Sequence, residues 1–131
     1  MFALKDVFKQ RFVVSEEVYT NFISLSKDMN VLHVDDEFAR LKGFKGKVMH
    51  GNILNGFLSY FIGECLPLNN VIIHSQTIQY KLPVYLKETL ELVAHVDGIF
   101  ESVNAVEFKY SFTNDDGKTV AKGKIQIGIL R

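Results

Sequence analysis

The apolar residues of this chain change their spacing partway along it, and the change divides the sequence into a helical half and a stranded half. Phe12, Val13 and Val14 favour extended backbone and predict a first strand over residues 8–14. Ser15 then stands as an N-cap, followed by Glu16 and Glu17, whose charge suits the first turn of a helix. Val18, Phe22 and Leu25 recur at helical spacing, so 15–26 reads as a short amphipathic helix. Residues 28–33 are polar and read as a loop or turn. Asp35 or Asp36 can cap a second short helix through Phe38, Ala39 and Leu41, with Gly43 as its stop. A connection rich in Gly and Lys spans 43–49. It leads to His50-Gly51 and then to an apolar helix over 52–62, which ends before Pro67. Ile53, Leu54, Phe57, Leu58, Phe61 and Ile62 fall on more than one stripe of that helix, which marks it as buried.

After Pro67 the period shortens to that of strands. Val71–Lys81 forms one, closed by Leu82-Pro83. Thr89–Val96 forms another, with Leu90, Leu92, Ala94 and Val96 on one face and Glu91 and His95 on the other. Residues 103–112 and 120–130 form two more, joined by the turn Asn114-Asp115-Asp116-Gly117, where glycine tolerates positive φ. Consecutive strands on short turns predict an antiparallel sheet, curved around the apolar helix. The fold class is therefore α+β, with residues 1–131 as one domain. A single curved sheet leaves edge strands unpaired, and a homodimer that joins two sheets edge to edge would satisfy them.

Composition narrows the classes of function. The chain has 131 residues and 47 % hydrophobic content, with 15 basic and 15 acidic residues for a net charge of zero. No basic stripe is interleaved with aromatics, so nucleic acid is not an expected partner. One cysteine, Cys65, rules out an internal disulfide framework and a thiol-rich metal site. The apolar helix is too short for a bilayer, which needs roughly 20 residues, so no membrane partner is expected. The N-terminus has no long apolar signal region, and the expected compartment is the cytoplasm. No phosphate loop, dinucleotide fingerprint or zinc spacing is present.

Two places can carry chemistry. Asp28 and His33 lie five positions apart with Asn30 between them. A carboxylate and an imidazole held together can position and deprotonate a water, and histidine titrates near neutral pH. Equally, Asp28 can cap a turn and His33 can be an ordinary loop histidine. The second place is His50-Gly51, just before the apolar helix. There unpaired backbone N–H groups and a partial positive charge meet a residue with no side chain, so a ligand oxygen can approach closely. A thioester carbonyl aimed at the Gly51 N–H would have its developing negative charge stabilised. The plainer reading is that Gly51 lets the loop turn and His50 packs behind it. Ser59 reads as a helix serine bonding its own backbone, or as a polar group facing a channel. His74 and His95 read as solvated strand residues.

Taken together, the segments resemble a known family. Leu25-Ser26-Lys27-Asp28-Met29-Asn30-Val31-Leu32-His33 is similar to the D-x-N-P-L-H motif of MaoC-like (R)-specific enoyl-CoA hydratases. The likeness runs on through Phe38-Ala39, Gly43-Phe44, Val48-Met49-His50-Gly51, Leu66-Pro67 and Gln79–Tyr85, which covers nearly the whole chain. It implies a hot-dog fold, with a long central helix wrapped by an antiparallel sheet, working as a homodimer. It implies reversible addition of water to a trans-2-enoyl thioester carried by coenzyme A or an acyl carrier, with no metal or other cofactor. Asp28 and His33 would hold and activate the water, and Gly51 would supply the carbonyl donor. Asn30 and His50 would support the loop, and Ser59 would lie near the acyl channel. Phe57, Tyr60 and Phe61 would shorten that channel toward short or medium chains.

The sequence departs from the pattern at three points. Val31 stands where the family usually has proline, Lys87-Glu88 where it has Gly-Asp, and Asn52 where methionine is common. None removes a reacting group. Two other readings remain open: a hot-dog thioesterase and a non-catalytic acyl-binding protein. Thioesterases of this fold often carry an acidic residue on the central helix or near the start of the chain; the helix here has only Glu64, far along it from Gly51.

Overall fold

A computed structural model describes residues 1–131. In it the apolar faces of one helix and one sheet are buried against each other. The helix, α4 (Asn52–Tyr60), runs directly into a π-turn at Phe61–Cys65. Ile53, Leu54, Phe57, Leu58, Phe61 and Ile62 are all buried. Asn52, Gly56, Ser59, Tyr60 and Gly63 are exposed. The helix therefore has one apolar face and one open face; the several apolar stripes read from the sequence lie together on the buried side.

The sheet has five antiparallel strands: β1 (Val7–Val13), β2 (Val71–Tyr80), β3 (Thr89–Phe100), β4 (Ala105–Thr113) and β5 (Thr119–Ile129). Their order is β1-β3-β4-β5-β2. The predicted alternation in β3 holds, since Leu90, Leu92, Ala94 and Val96 are buried against the helix. On the neighbouring strands Phe108, Phe112, Ile125 and Ile127 join them. Phe12 stacks on Phe57 with ring centroids 4.4 Å apart, and Phe2, Phe8, Phe61 and Phe108 meet edge to face. The register shifts between Val96 and Gly98 in β3 and between Ile73 and Ser75 in β2. Bulges of this kind bend the strand that carries them, and here they accompany the curl of the sheet around α4.

Three expectations need correction. First, β2 and β3 are not neighbours. β2 lies on the far edge beside β5, and residues 81–88 cross from it back to β3. Leu82-Pro83 lacks the turn chemistry of a tight hairpin. The crossing segment instead buries Val84, bonds through Met49 N to Val84 O at 2.8 Å, and pairs Val48 with Tyr85. Second, the polar stretch 28–33 is not all loop, because Val31–Val34 forms a helical turn, α2, capped by the Asn30 side chain. Third, β3 continues past its bulge to Phe100, and Glu101–Val103 is a 3₁₀ turn, so the next strand begins at Ala105. Other local signals match. Ser15 caps α1 (Glu16–Ser26), Asp35 caps α3 (Asp36–Leu41), and the 114–117 turn has Gly117 at φ 73°.

Because Leu58 is fully buried between helix and sheet, Leu58→Ala is expected to lower stability by about 2–5 kcal/mol. Urea denaturation followed by circular dichroism measures the loss.

Candidate active site

The site is assembled where the end of α1, the turn α2 and the start of α4 meet. Lys27 ends α1 in the left-handed region at φ 60°, which turns the chain sharply. Ser26 Oγ then accepts from the Asp28 N–H at 3.1 Å, and Asp28 Oδ1 accepts from the Asn30 N–H at 3.0 Å. Asn30 Oδ1 in turn accepts from the Leu32 N–H at 3.0 Å. These short-range bonds are what Ser, Asp and Asn offer in turns. They leave the second oxygen of Asp28 free, and it faces His33 Nε2 at 3.9 Å. That gap is too long for a direct hydrogen bond. A water about 2.8 Å from each atom closes a triangle on that edge.

His33 is held by its other nitrogen. Nδ1 lies 2.7 Å from the Val48 carbonyl, which can only accept, so the proton sits on Nδ1 and the Nε2 lone pair faces Asp28. Tyr19 OH donates to the His33 carbonyl at 2.7 Å. Burial raises the Tyr19 pKa, and the charges of Asp36 and Glu16 add to the effect, so this donor stays protonated. His50 is buried at 3 % exposure. Its Nε2 donates to the Asp28 carbonyl at 2.8 Å, and its ring stacks on His33 with centroids 4.0 Å apart. His50 therefore braces both Asp28 and His33. The Nδ1 of His50 is buried with no partner.

Asp28, His33 and His50 bring ligand atoms within 4.8 Å of one another. His33 Nδ1 and His50 Nε2 are already engaged with carbonyls. The two rings also stack, so their in-plane lone pairs run side by side and do not converge on one ion.

Gly51 follows at the N-terminus of α4. The first amides of this end to find backbone acceptors are those of Ile53, bonded to His50 O at 3.1 Å, and Leu54, bonded to Gly51 O at 3.0 Å. The N–H groups of Gly51 and Asn52 have no backbone partner. A cavity of about 510 Å³ joins these parts, which is within the usual range for small-molecule sites. Asp28, His33, His50 and Gly51 all line it, along with apolar side chains that include Phe22, Ile53, Leu54 and Val84.

Asn30 supports the loop, as the resemblance implied, by capping α2. Other expected residues lie elsewhere. Ser59 is exposed and lines no part of this cavity. Phe57 and Phe61 belong to the core, and Tyr60 is half exposed, so none of the three shortens the cavity. His74 is exposed, but His95 is only half exposed and faces Lys109 across the β3–β4 pair. Tyr19, Phe22, the end of β2 at Tyr80 and residues 81–84 of the crossing segment also belong to the site, though the sequence did not single them out. The break at Leu82-Pro83 was the available signal, since a strand that ends without a hairpin turn must travel somewhere.

With this geometry in view, comparison with known proteins is informative. The MaoC like domain model matches residues 4–115. The chain belongs to that family. It is 31 % identical over 114 residues to an (R)-specific enoyl-CoA hydratase of Rhodospirillum rubrum, covering 87 % of this chain and 78 % of that one. It is 27 % identical over 122 residues to a mitochondrial 3-hydroxyacyl-[acyl-carrier-protein] dehydratase of Arabidopsis thaliana, covering 91 % and 72 %. Among solved structures, an (R)-hydratase from A. caviae superposes with a TM-score of 0.90 at 22 % identity, over 98 % of each chain. The R-hydratase PhaJ1 from Pseudomonas aeruginosa superposes with a TM-score of 0.88 at 25 % identity, over 98 % of this chain and 82 % of that one. The sheet and helix of this MaoC-like chain therefore form the hot-dog fold. No helix in it is long and apolar enough to cross a membrane.

The loop that leads into the site is tied down by a carboxylate. Asp36 Oδ1 accepts from the Lys47 N–H at 2.8 Å, and that bond, with the charges of Lys47 and Arg40, lowers the Asp36 pKa. A carboxyl whose pKa is lower folded than unfolded adds stability above its unfolded value and loses it as pH falls through its folded value. Thermal melts on the acid side, from about pH 5 down to about pH 3, should therefore show a steeper loss for the native chain than for Asp36→Asn.

Proposed function

We propose that this chain is a hydro-lyase that adds water reversibly to trans-2-enoyl thioesters, giving (R)-3-hydroxyacyl thioesters. The observation that carries this reading is the 3.9 Å approach of Asp28 Oδ2 to His33 Nε2, on the wall of a cavity that also holds the unpaired Gly51 N–H. In the hydration direction, Asp28 and His33 hold one water against C3 of the enoyl group. As the water oxygen bonds to C3, its proton passes to His33 Nε2, whose lone pair is set by the Nδ1–Val48 bond. The π electrons move toward the thioester carbonyl, and the Gly51 N–H stabilises the enolate oxygen. The enolate collapses when the same proton is returned to C2, which leaves His33 neutral. Asn30 holds the loop and His50 braces the pair, while the thioester itself supplies the acidity at C2, so neither a metal nor a redox cofactor is required.

The relatives' names include both a CoA hydratase and an acyl-carrier-protein dehydratase, and both carriers present the same thioester. Thioester hydrolysis is less well supported. Glu64, the acidic residue of the α4–π segment, is exposed and lines no part of the cavity. A passive acyl-binding role would leave the bracing of Asp28 and His33 without a use. The quaternary state is a homodimer in this reading. β2 is an unpaired edge strand with Ile72 and Tyr80 half exposed, and the open face of α4, which bears Ser59, lies near it through the Gln76–Asn55 hydrogen bond. A second copy paired along β2 would cover both, and would bring its own side chains to Ser59. The expected compartment remains the cytoplasm.

Purified protein mixed with crotonyl-CoA should bleach the conjugated enoyl-thioester absorbance without releasing free thiol. Asp28→Asn and His33→Ala should each lower kcat/KM by about 10²–10⁴ while the fold is retained. Thiol release would instead assign hydrolysis. Light scattering on the eluting peak should give twice the chain mass, and a monomer would remove the edge-paired dimer.

A further inference from the structure

Tyr80 occupies a position that the reaction as described leaves without a task. It is the last residue of β2 and lines the same cavity as Asp28 and His33. Its ring stands directly over Gly51. A Cβ placed on Gly51 would lie 2.7 Å from Tyr80 Cε1, 2.8 Å from Cζ and 3.2 Å from the hydroxyl oxygen. A side chain at 51 would thus have to displace the Tyr80 ring. A Cβ lies about 2.5 Å from its own backbone nitrogen, so the Tyr80 hydroxyl falls within roughly 5.7 Å of the Gly51 N. An oxygen that accepts at about 2.9 Å from each donor, on lone pairs roughly 120° apart, needs the donors about 5 Å apart, which lies inside that limit.

The hydroxyl is available. Burial raises its pKa more than a hydrogen bond from the Asn55 side chain lowers it; that bond is accepted by the hydroxyl oxygen, so the proton is kept and is free to be donated. Asn55 itself is engaged at both ends, donating from Nδ2 to Asn52 and accepting at Oδ1 from Gln76. The nearby Tyr110 hydroxyl is spent on the Thr77 carbonyl at 2.7 Å.

We propose that the Tyr80 hydroxyl is a second donor to the thioester carbonyl oxygen, sharing with the Gly51 N–H the charge that develops there. The assignment rests on the hydratase reading, and it makes Tyr80 a catalytic residue of that reaction. Two donors on one oxygen orient the carbonyl as well as polarise it, because a single donor leaves rotation about its axis free.

The test is Tyr80→Phe, which keeps the ring over Gly51 and removes only the hydroxyl. Hydration of crotonyl-CoA is expected to lose about 10- to 100-fold in kcat with KM nearly unchanged. A spectroscopic reading separates this from a structural role. Crotonyl-CoA carrying ¹³C at the thioester carbonyl is bound to Asp28→Asn and to Asp28→Asn/Tyr80→Phe, and the carbonyl stretch is recorded by infrared difference spectroscopy. A red shift that is smaller without the hydroxyl supports the proposal. An unchanged stretch overturns it, whatever happens to kcat, and so does a Tyr80→Phe enzyme with the native kcat. If the native chain hydrates nothing, the hydratase reading falls, and the carbonyl stretch alone decides whether Tyr80 is a donor. If no thioester binds and the native chain hydrates nothing, both readings are overturned.

Discussion

Everything in this molecule depends on burying the apolar face of α4 in the curved sheet. Ile53, Leu54, Phe57, Leu58, Phe61 and Ile62 contribute the helix side of that contact, and inward residues of β3, β4 and β5 the other. Fully burying a side chain of this size is worth about 1.5–3 kcal/mol. A helix held at so many points cannot slide or rotate, so its N-terminus is fixed in space. His50 and Gly51 sit at that end. The position of a backbone donor at the site is therefore set by core packing, and the catalytic side chains come to it.

They come through short-range bonds. Asp28, Asn30 and Ser26 tie one another's backbones into a compact turn, and His50 reaches back from the helix end to the Asp28 carbonyl. Val48, one residue before the buried Met49, accepts the His33 Nδ1–H. The acid–base pair and the helix end are thus two pieces joined by three hydrogen bonds, the third from Val48 N–H to the Leu32 carbonyl at 3.0 Å, and by a ring stack. The replacement of the family's usual proline by Val31 fits this picture. Val31 opens α2, whose geometry is held by the Asn30 cap, so the turn does not rely on a fixed φ at that position.

The crossing segment 81–88 has a double use. It carries the chain from one sheet edge to the middle of the other side, and it walls the cavity with Leu82, Pro83 and Val84. Its cost is an exposed edge at β2. That edge, half apolar and unpaired, lies close to the site through Tyr80 and Gln76. Assembly and active-site architecture therefore meet on one strand.

Much of this was legible in the amino-acid order. The period-two pattern of residues 90–96, the caps at Ser15 and Asp35 and the Asn114–Gly117 turn are local, and each is decided within a few residues by backbone preference and side-chain reach. The nearness of Asp28 to His33 was legible for the same reason, because five positions separate them and the turn between them closes on local bonds, whereas the Val48, His50 and Tyr19 contacts that orient them come from 14 to 22 positions away. What the order of residues could not settle is whatever depends on partners far along the chain. Nothing local tells β2 to pair with β5 in place of β3, or places Tyr80 over Gly51, 29 positions away. The apolar count of residues 52–62 likewise cannot say that Phe57 and Phe61 fill the core while Val14, Phe22 and Val84 line the cavity. Those assignments follow from which surfaces the sheet's curl leaves opposite each face of the helix, and only the folded chain determines that.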